Sequence, residues 1–258
     1  MQRLDDESIM RSPRPEPLVA VVVLLLVLAP GVGTVVAAEG KRVLSPDGAQ
    51  RPFRAAHCDA IDLTDSVTLE AWIKPRAMGN GGGRIIDKGT AGTKSGYMLD
   101  TFPGNSLRMI VRTDKYEGSV SFPAKLATDR WSHVAGVFRA DDGEMTLYVN
   151  GKKVATRTFE PNAKLVGNRH PLCVGSDHTG GSRFLGEMDR VTVYERALTS
   201  VEIAKLADDP AHTSHNLPGR VADWRFDNLD RGRFISSAPG GLALKVPRGY
   251  GIVPAKLA

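Results

Sequence analysis

Residues 183–207 read RFLGEMDRVTVYERALTSVEIAKLA, and the change of hydrophobic period inside this stretch decides the fold. Val191 and Val193 alternate with Thr192 and Tyr194, the period-two pattern of a strand in a packed sheet. From Thr199 the period lengthens. The Thr199 hydroxyl is placed to accept from a free amide of a first helical turn, Glu202 sits three residues on as in a capping box, and Ile203 and Leu206 give the helix an apolar side. A strand leading into one short amphipathic helix needs a sheet to receive both, and the upstream residues read as that sheet.

WSHVAGVFR (131–139), the turn Ala140–Gly143 and EMTLYVN (144–150) make a hairpin, and the pair Asn150-Gly151 supplies the positive backbone dihedrals of a tight turn into residues 152–159. Within 106–112, Leu107, Met109 and Val111 share one side of a strand; Arg108, Ile110 and Arg112 share the other. That strand follows 96–101 across the turn Phe102-Pro103-Gly104-Asn105. CDAIDLTDSVTLEAWIKP (58–75) contains a longer strand with Val67, Leu69, Ala71 and Ile73 on one face, stopped by Pro75. RIIDK (84–88) is a short strand after the glycine-rich turn that ends at Gly83. Few aromatics, 27 glycines and frequent turn clusters favour a sandwich of short strands over helices.

These blocks, in this order, resemble the LamG-like jelly-roll family of the concanavalin A-like lectin/glucanase superfamily. The closing block matches at Phe184, Gly186, Met188, Asp189, Val191, Val193, Tyr194, Arg196, Ala197, Leu198, Thr199, Glu202 and Ile203. It departs at Arg190, which stands where the family has an acid. The hairpin matches at Trp131, His133, Val134, Ala135, Phe138, Leu147, Tyr148, Val149, Asn150 and Gly151, and the run to Pro75 resembles the family's opening strand. The resemblance implies an all-β, two-sheet antiparallel jelly-roll sandwich over residues 58–207, with a short C-terminal helix after its last strand. It also implies that Trp72 and Trp131 lie in the core. Residues 39–57 then form a lead-in, and 208–258 a linker and tail. RVADWRFDN (220–228) looks like the strand with which many family members begin, so it either closes this sandwich or opens a further module; the second is the expectation here.

At the other end, LVAVVVLLLVL (18–28) has the length of a signal-peptide core, and the small residues before Glu39 predict cleavage after Ala38. The rival reading takes Leu18 to Ala38 as one membrane anchor. The first 38 residues hold three Arg and four acids, so their removal takes the net charge from +5 to +6, a mild excess suited to a solvated surface or to anionic glycans. Cys58 and Cys173 are expected to pair in an oxidising compartment; the alternative is two small buried hydrophobes.

Retaining glucanases of the same superfamily place two glutamates and an aspartate on one strand. Glu187 and Asp189 begin such a row, but Val191 and Thr192 follow, so the acid/base is missing and Asp189 reads as structural. His133 reads as a hydrogen-bonded sheet histidine, and His170 and His178 as loop histidines outside zinc-finger spacing. Related laminin G and pentraxin domains bind calcium at rim loops. Candidate oxygen donors are Asp87, Asp100, Asp114, Asp141, Asp142 and Asp177, with Asp114, Asp142 and Asp177 carried forward as weak metal candidates because no spacing signature joins them. For a glycan, Tyr97, Tyr116 and Arg112 offer a platform with fixed polar groups, and Arg108 and Arg183 offer bidentate contacts to an acidic sugar. The sequence therefore points to a secreted or envelope-exposed, non-catalytic module binding carbohydrate or another extracellular surface, with no nucleic-acid partner and no stable membrane insertion after signal removal. The alternative is a protein-binding adhesion or structural module, including one accessory to a larger extracellular enzyme.

Overall fold

The structure, a computed structural model, describes residues 42–46, 51–89, 94–210, 216–247 and 252–254. The expected signal peptide and its cleavage site lie outside those residues. In chain order the strands are β1 (Arg42–Leu44), β2 (Phe53–Ala55), β3 (Val67–Pro75), β4 (Gly83–Asp87), β5 (Tyr97–Thr101), β6 (Ser106–Arg112), β7 (Glu117–Lys125), β8 (Ser132–Arg139), β9 (Glu144–Val149), β10 (Lys152–Thr158), β11 (Leu172–Val174) and β12 (Gly186–Tyr194). Helix α1 (Ser200–Ala207) follows, then β13 (Arg220–Arg225), β14 (Leu229–Asp230), β15 (Arg233–Ile235), β16 (Ala243–Lys245) and β17 (Ile252–Pro254). One sheet has the order β10-β9-β8-β3-β12-β1-β17, with β13 also on β12. The other has the order β14-β15-β16-β2-β11-β4-β5-β6-β7. The strands pair antiparallel and the two sheets face each other across one core, the expected jelly-roll sandwich.

The periodicity of the sequence fills that core directly. Leu69, Ala71 and Ile73 of β3 and Val191 and Val193 of β12 meet Leu107, Met109 and Val111 of β6, all fully buried. The sheets approach so closely at Gly136 of β8 that an added Cβ would lie 2.8 Å from the Met109 sulfur. Asn150 and Gly151 take φ of 49° and 74°, the tight turn their identity predicts. On the outer side of the eight-stranded sheet, Ile203 and Leu206 of α1 cover Ala135, Val137, Tyr148 and Tyr194. The capping box forms as read: Thr199 accepts from the Glu202 amide, and the Glu202 side chain accepts from the Thr199 amide.

Three expectations are corrected. The lead-in, expected to lie outside the 58–207 sandwich, supplies strands to both sheets, β1 on β12 and β2 between β11 and β16. Three-residue strands are too short to show a period. The tail does not open a separate module. β13 pairs with β12 over Arg190–Tyr194, β14 to β16 extend the other sheet, and Trp224, Phe226, Phe234 and Leu244 enter the common core. Trp224 is accordingly the fully buried tryptophan. Trp72 and Trp131 are only half-buried, Trp72 lying against His133 with ring centroids 5.6 Å apart.

The departure at Arg190 is explained by the same tail. Arg190 is fully buried and donates from Nε and Nη2 to both oxygens of Asp223 on β13, each at 2.7 Å. Arg220 donates to Asp223 at 2.7 Å, and the Ser237 hydroxyl donates to it as well.

The expected disulfide is also absent, since Cys58 and Cys173 are free thiols. Leu172 and Val174 point into the core, so Cys173 between them points away from it, while Cys58 packs against it. Cys173 stands opposite Arg54, four residues before Cys58. Burial pushes the Cys173 thiol up to about 12, which removes its thiolate at ordinary pH. Thiol titration at pH 8 should therefore label at most Cys58 in the folded protein and both cysteines after denaturation. A single unreactive mass in denaturant without reductant would show a bridge instead.

Candidate functional site

The outer face of the nine-stranded sheet collects most of the cations singled out in the sequence. Strand alternation puts Arg108, Ile110 and Arg112 of β6 on that face while their neighbours fill the core. Arg108 donates to both oxygens of Asp100 on β5, at 3.0 and 2.8 Å, and Arg84 of β4 binds Asp100 from the other side. Phe102 is exposed, and the Arg108 guanidinium lies 4.3 Å from its ring centroid. The result is a row of Arg84, Asp100 and Arg108 whose charges are largely matched within the protein.

Arg112 sits in a different setting at the rim. The turn between β6 and β7 forms a cavity of about 350 Å³ lined by Lys94, Arg112, Thr113, Asp114, Lys115, Tyr116 and Glu117. Thr113 shapes the turn, its amide and hydroxyl donating to the Tyr116 carbonyl and its hydroxyl accepting from the Tyr116 amide at 2.9 Å. The Tyr116 ring stacks on Phe159, centroids 4.9 Å apart, and its hydroxyl donates to the Glu160 carbonyl. Partial burial, then Glu160 and Asp114, push the Tyr116 phenol up, so it stays protonated. Lys115 reaches Glu160 at 2.8 Å. Across the turn, Arg112 Nε lies 3.0 Å from the Glu117 carboxylate.

The structure thus joins Arg112, Tyr116 and Asp114 in one cavity, and puts Arg108 on the same face of the same strand. It removes Tyr97 from consideration as a surface platform: that ring is buried and its hydroxyl donates to the Ile61 carbonyl at 2.9 Å. Arg183 is exposed beside Arg84 and does not line the cavity. Lys94, Lys115 and Glu117 were missed. Arg112 and Glu117 flank a four-residue turn, so their pairing was available from the hairpin alone.

The metal candidates behave as turn and ion-pair residues. Asp114 accepts from the Lys164 amide, Asp142 from the Glu144 amide, and Asp177 from the Thr179 and Gly181 amides. The Thr179 and Gly181 hydrogen bonds hold the Asp177 carboxyl below its ordinary value against partial burial. Asp100 and Asp87 face arginines, and Asp141 is exposed. These donor sets do not fit calcium, which needs several convergent oxygens, and no group of three or more His, Cys, Asp or Glu among the described residues is placed to hold a metal ion. The two carboxylates of the incomplete glucanase row are equally unavailable as a pair: Glu187 stands 3.8 Å from Lys74, and Asp189 is buried. His133 is the buried sheet histidine expected, 3.2 Å from Glu70.

Asp87 gives the sandwich a pH signature. Burial raises its carboxyl from 3.8 to about 6, against the opposing Gly89 amide and Arg84. The folded state therefore binds this proton more tightly than the unfolded chain. Its favourable contribution is full below pH 4 and lost as pH rises through about 6, on the order of 2–3 kcal/mol. Melting curves of wild type and Asp87→Asn from pH 4 to 7.5 should converge at the acid end, with the variant the more stable at neutral pH. Parallel curves would show that Asp87 titrates normally.

Among the described residues no helix is long and apolar enough to cross a membrane. The chain is 28% identical over 161 residues to Adhesion G-protein coupled receptor V1 of Danio rerio, matching 59% of this chain and 2% of the receptor. It is 22% identical over 170 residues to Neuronal pentraxin-2 of Homo sapiens, matching 63% of this chain and 37% of that protein. The chain thus spans well under half the length of either relative. A solved Bacteroides ovatus protein, provisionally named as carbohydrate binding, superposes with a TM-score of 0.60 at 19% identity, over 80% of this chain and 58% of its own. The CBM40 domain of Ruminococcus gnavus IT-sialidase, bound to alpha2,3 sialyllactose, superposes with a TM-score of 0.52 at 16% identity, over 64% of this chain and 96% of its own. At these identities the two structures speak for the fold. A family profile runs from residue 47, ahead of β2, to residue 204, inside α1, and by that match the chain belongs to the concanavalin A-like lectin/glucanases superfamily.

Proposed function

We propose that this domain is a secreted, non-catalytic recognition module that binds carbohydrate at the rim of the nine-stranded sheet. The observation that carries the reading is the cavity at the β6–β7 turn, where a half-buried aromatic ring lies beside cations held by the sheet. Its volume, about 350 Å³, falls at the small end of ligand pockets and suits one or two sugar rings. The solved relatives named for carbohydrate or bound to sialyllactose support the same reading, as does the lack of a free carboxylate pair in the Glu187 row. Secretion rests on the hydrophobic segment 18–28 and the small residues before Glu39.

The full chain should release a product beginning at Glu39, checked by N-terminal sequencing. That product should bind members of a glycan array and gain thermal stability with the same sugars, with or without calcium. A folded product silent on the array would end the carbohydrate reading and leave protein adhesion as the alternative.

A further inference from the structure

Resting on that carbohydrate reading, we propose that Arg112 is the anion-recognising residue of the rim cavity and that Glu117 stands in the ligand's place in the free protein. The ligand is then a sugar carrying a carboxylate or a sulfate.

A guanidinium is planar and is matched best by two acceptor oxygens lying in its plane. The chain meets that need elsewhere. Arg108 has both oxygens of Asp100, and Arg190 both oxygens of Asp223. Arg112 is as buried as such a residue can be while lining a cavity, at 5% exposed, yet its buried Nε and Nη1 have no hydrogen-bond partner. A desolvated cation in this state is costly unless a counter-charge arrives in the right geometry. The counter-charge present is Glu117. It lies near enough to Nε for an ion pair but off line for a hydrogen bond, and its side chain is 57% exposed. Such a partner can rotate into water at little cost.

The rest of the cavity favours the same class of ligand. The Arg112 main chain is clamped on both sides, its amide donating to the Gly96 carbonyl and its carbonyl accepting from the Val166 amide, and burial restrains the side chain it carries before any ligand comes. Gly89 packs against the far side of that guanidinium, an added Cβ there lying 3.7 Å from Nη1 and 3.3 Å from the Ser95 carbonyl oxygen. Lys94 adds a second positive charge to the lining, and Lys115, though held by Glu160, adds a third. The acidic members are Asp114, occupied by the Lys164 amide, and Glu117 itself. A ligand anion that displaces Glu117 exchanges one misaligned contact for a two-oxygen acceptor. A neutral sugar gains nothing from that exchange.

The test uses the protein released on expression of the full chain, with four probes: oligogalacturonate for carboxylate, dextran sulfate for sulfate, and neutral galactan and dextran. Wild type should bind one or both charged probes and neither neutral one; which charged probe binds names the source of the anion. Arg112→Lys, which keeps the charge and loses the fork, should weaken that binding roughly tenfold or more. Glu117→Gln should strengthen it roughly threefold to tenfold. Asp230→Asn, an equal charge change on β14 at the opposite edge of the same sheet, serves as the reference. Each variant is first shown to melt near the wild-type temperature, and Glu117→Gln decides alone if Arg112→Lys does not fold. Equal gains from Glu117→Gln and Asp230→Asn would overturn the displacement of Glu117. Unchanged binding in Arg112→Lys would overturn the site. Wild type binding only neutral glycans would overturn the acidic class while leaving the carbohydrate reading standing, and a folded protein that binds none of the probes or the array would overturn both.

Discussion

Trp224→Ala should lower the unfolding midpoint more than truncation of either other tryptophan. Trp224 is fully buried, stands opposite Val191 in the β12–β13 pair, and donates from its indole nitrogen to the Leu242 carbonyl at 2.9 Å. Removing the ring leaves a large void between the sheets and takes from that carbonyl one of its two donors, the Ser236 amide remaining, a loss of about 3–5 kcal/mol. For a sandwich of this size that corresponds to a midpoint roughly 6–20 °C lower in a thermal melt. Trp72→Ala and Trp131→Ala, at half-buried positions, should cost clearly less. The contrast is diagnostic. Were the tail a detached segment, Trp224→Ala would melt with the wild type and the chain ending at Ala207 would fold unaided. With Phe226, Phe234 and Leu244 also in the core, that truncated chain should instead be recovered unfolded or aggregated.

Asp223→Ala is expected to be of similar severity for a different reason. It strips the carboxylate from Arg190, which has no exposed surface, and from Arg220, and it leaves the Ser237 hydroxyl without its acceptor. Breaking one side of a buried ion pair costs about 3–5 kcal/mol, because the remaining charge is stranded away from water. The double change Arg190→Met with Asp223→Leu removes the two fully buried charges, leaves Arg220 its bond to Asn216, and should recover much of that loss. Urea unfolding of the three proteins separates the outcomes. A single variant within about 0.5 kcal/mol of wild type would mean that water reaches Arg190 and solvates its charge in place of Asp223.

The elements with a long, regular period were legible in the sequence. β3 and β6 each carry three or more core residues at alternate positions, β12 carries Val191 and Val193 after an irregularity that follows Met188, and α1 carries its own cap, so their faces followed from residue type alone. β1, β2 and β11 are three residues long and hold no period to read. The tail misled for a related reason. RVADWRFDN has the look of an opening strand, and the clue that it closes this sandwich lay at Arg190, an arginine inside an apolar strand that had to find a buried acid. At the candidate site, residue type gave Arg112 and Tyr116 but neither Lys94 nor Lys115. It did not give burial, which separated Tyr97 from Tyr116, nor the partner geometry that left Arg112 unmatched while Arg108 was satisfied. The cysteines failed for want of direction: their neighbours in β11 show which way Cys173 points only once the facing sheet is known.

The pairing of β1 with β17 has a mechanical consequence. Arg42 stands opposite Pro254 and Leu44 opposite Ile252, so the point where the chain enters the sandwich and the point where it leaves lie side by side at one end of an antiparallel pair. Tension applied between neighbours on the two sides would load the hydrogen bonds of that pair in sequence, like a zipper, instead of all together in shear. The outermost strands would peel at low force, while the pairs β3–β8 and β3–β12, which tie the centre of the sheet, would carry little of the load. Strung in a longer chain, the domain would behave as a compliant link that lengthens first at its own ends and keeps the rim of the opposite sheet folded while it does so.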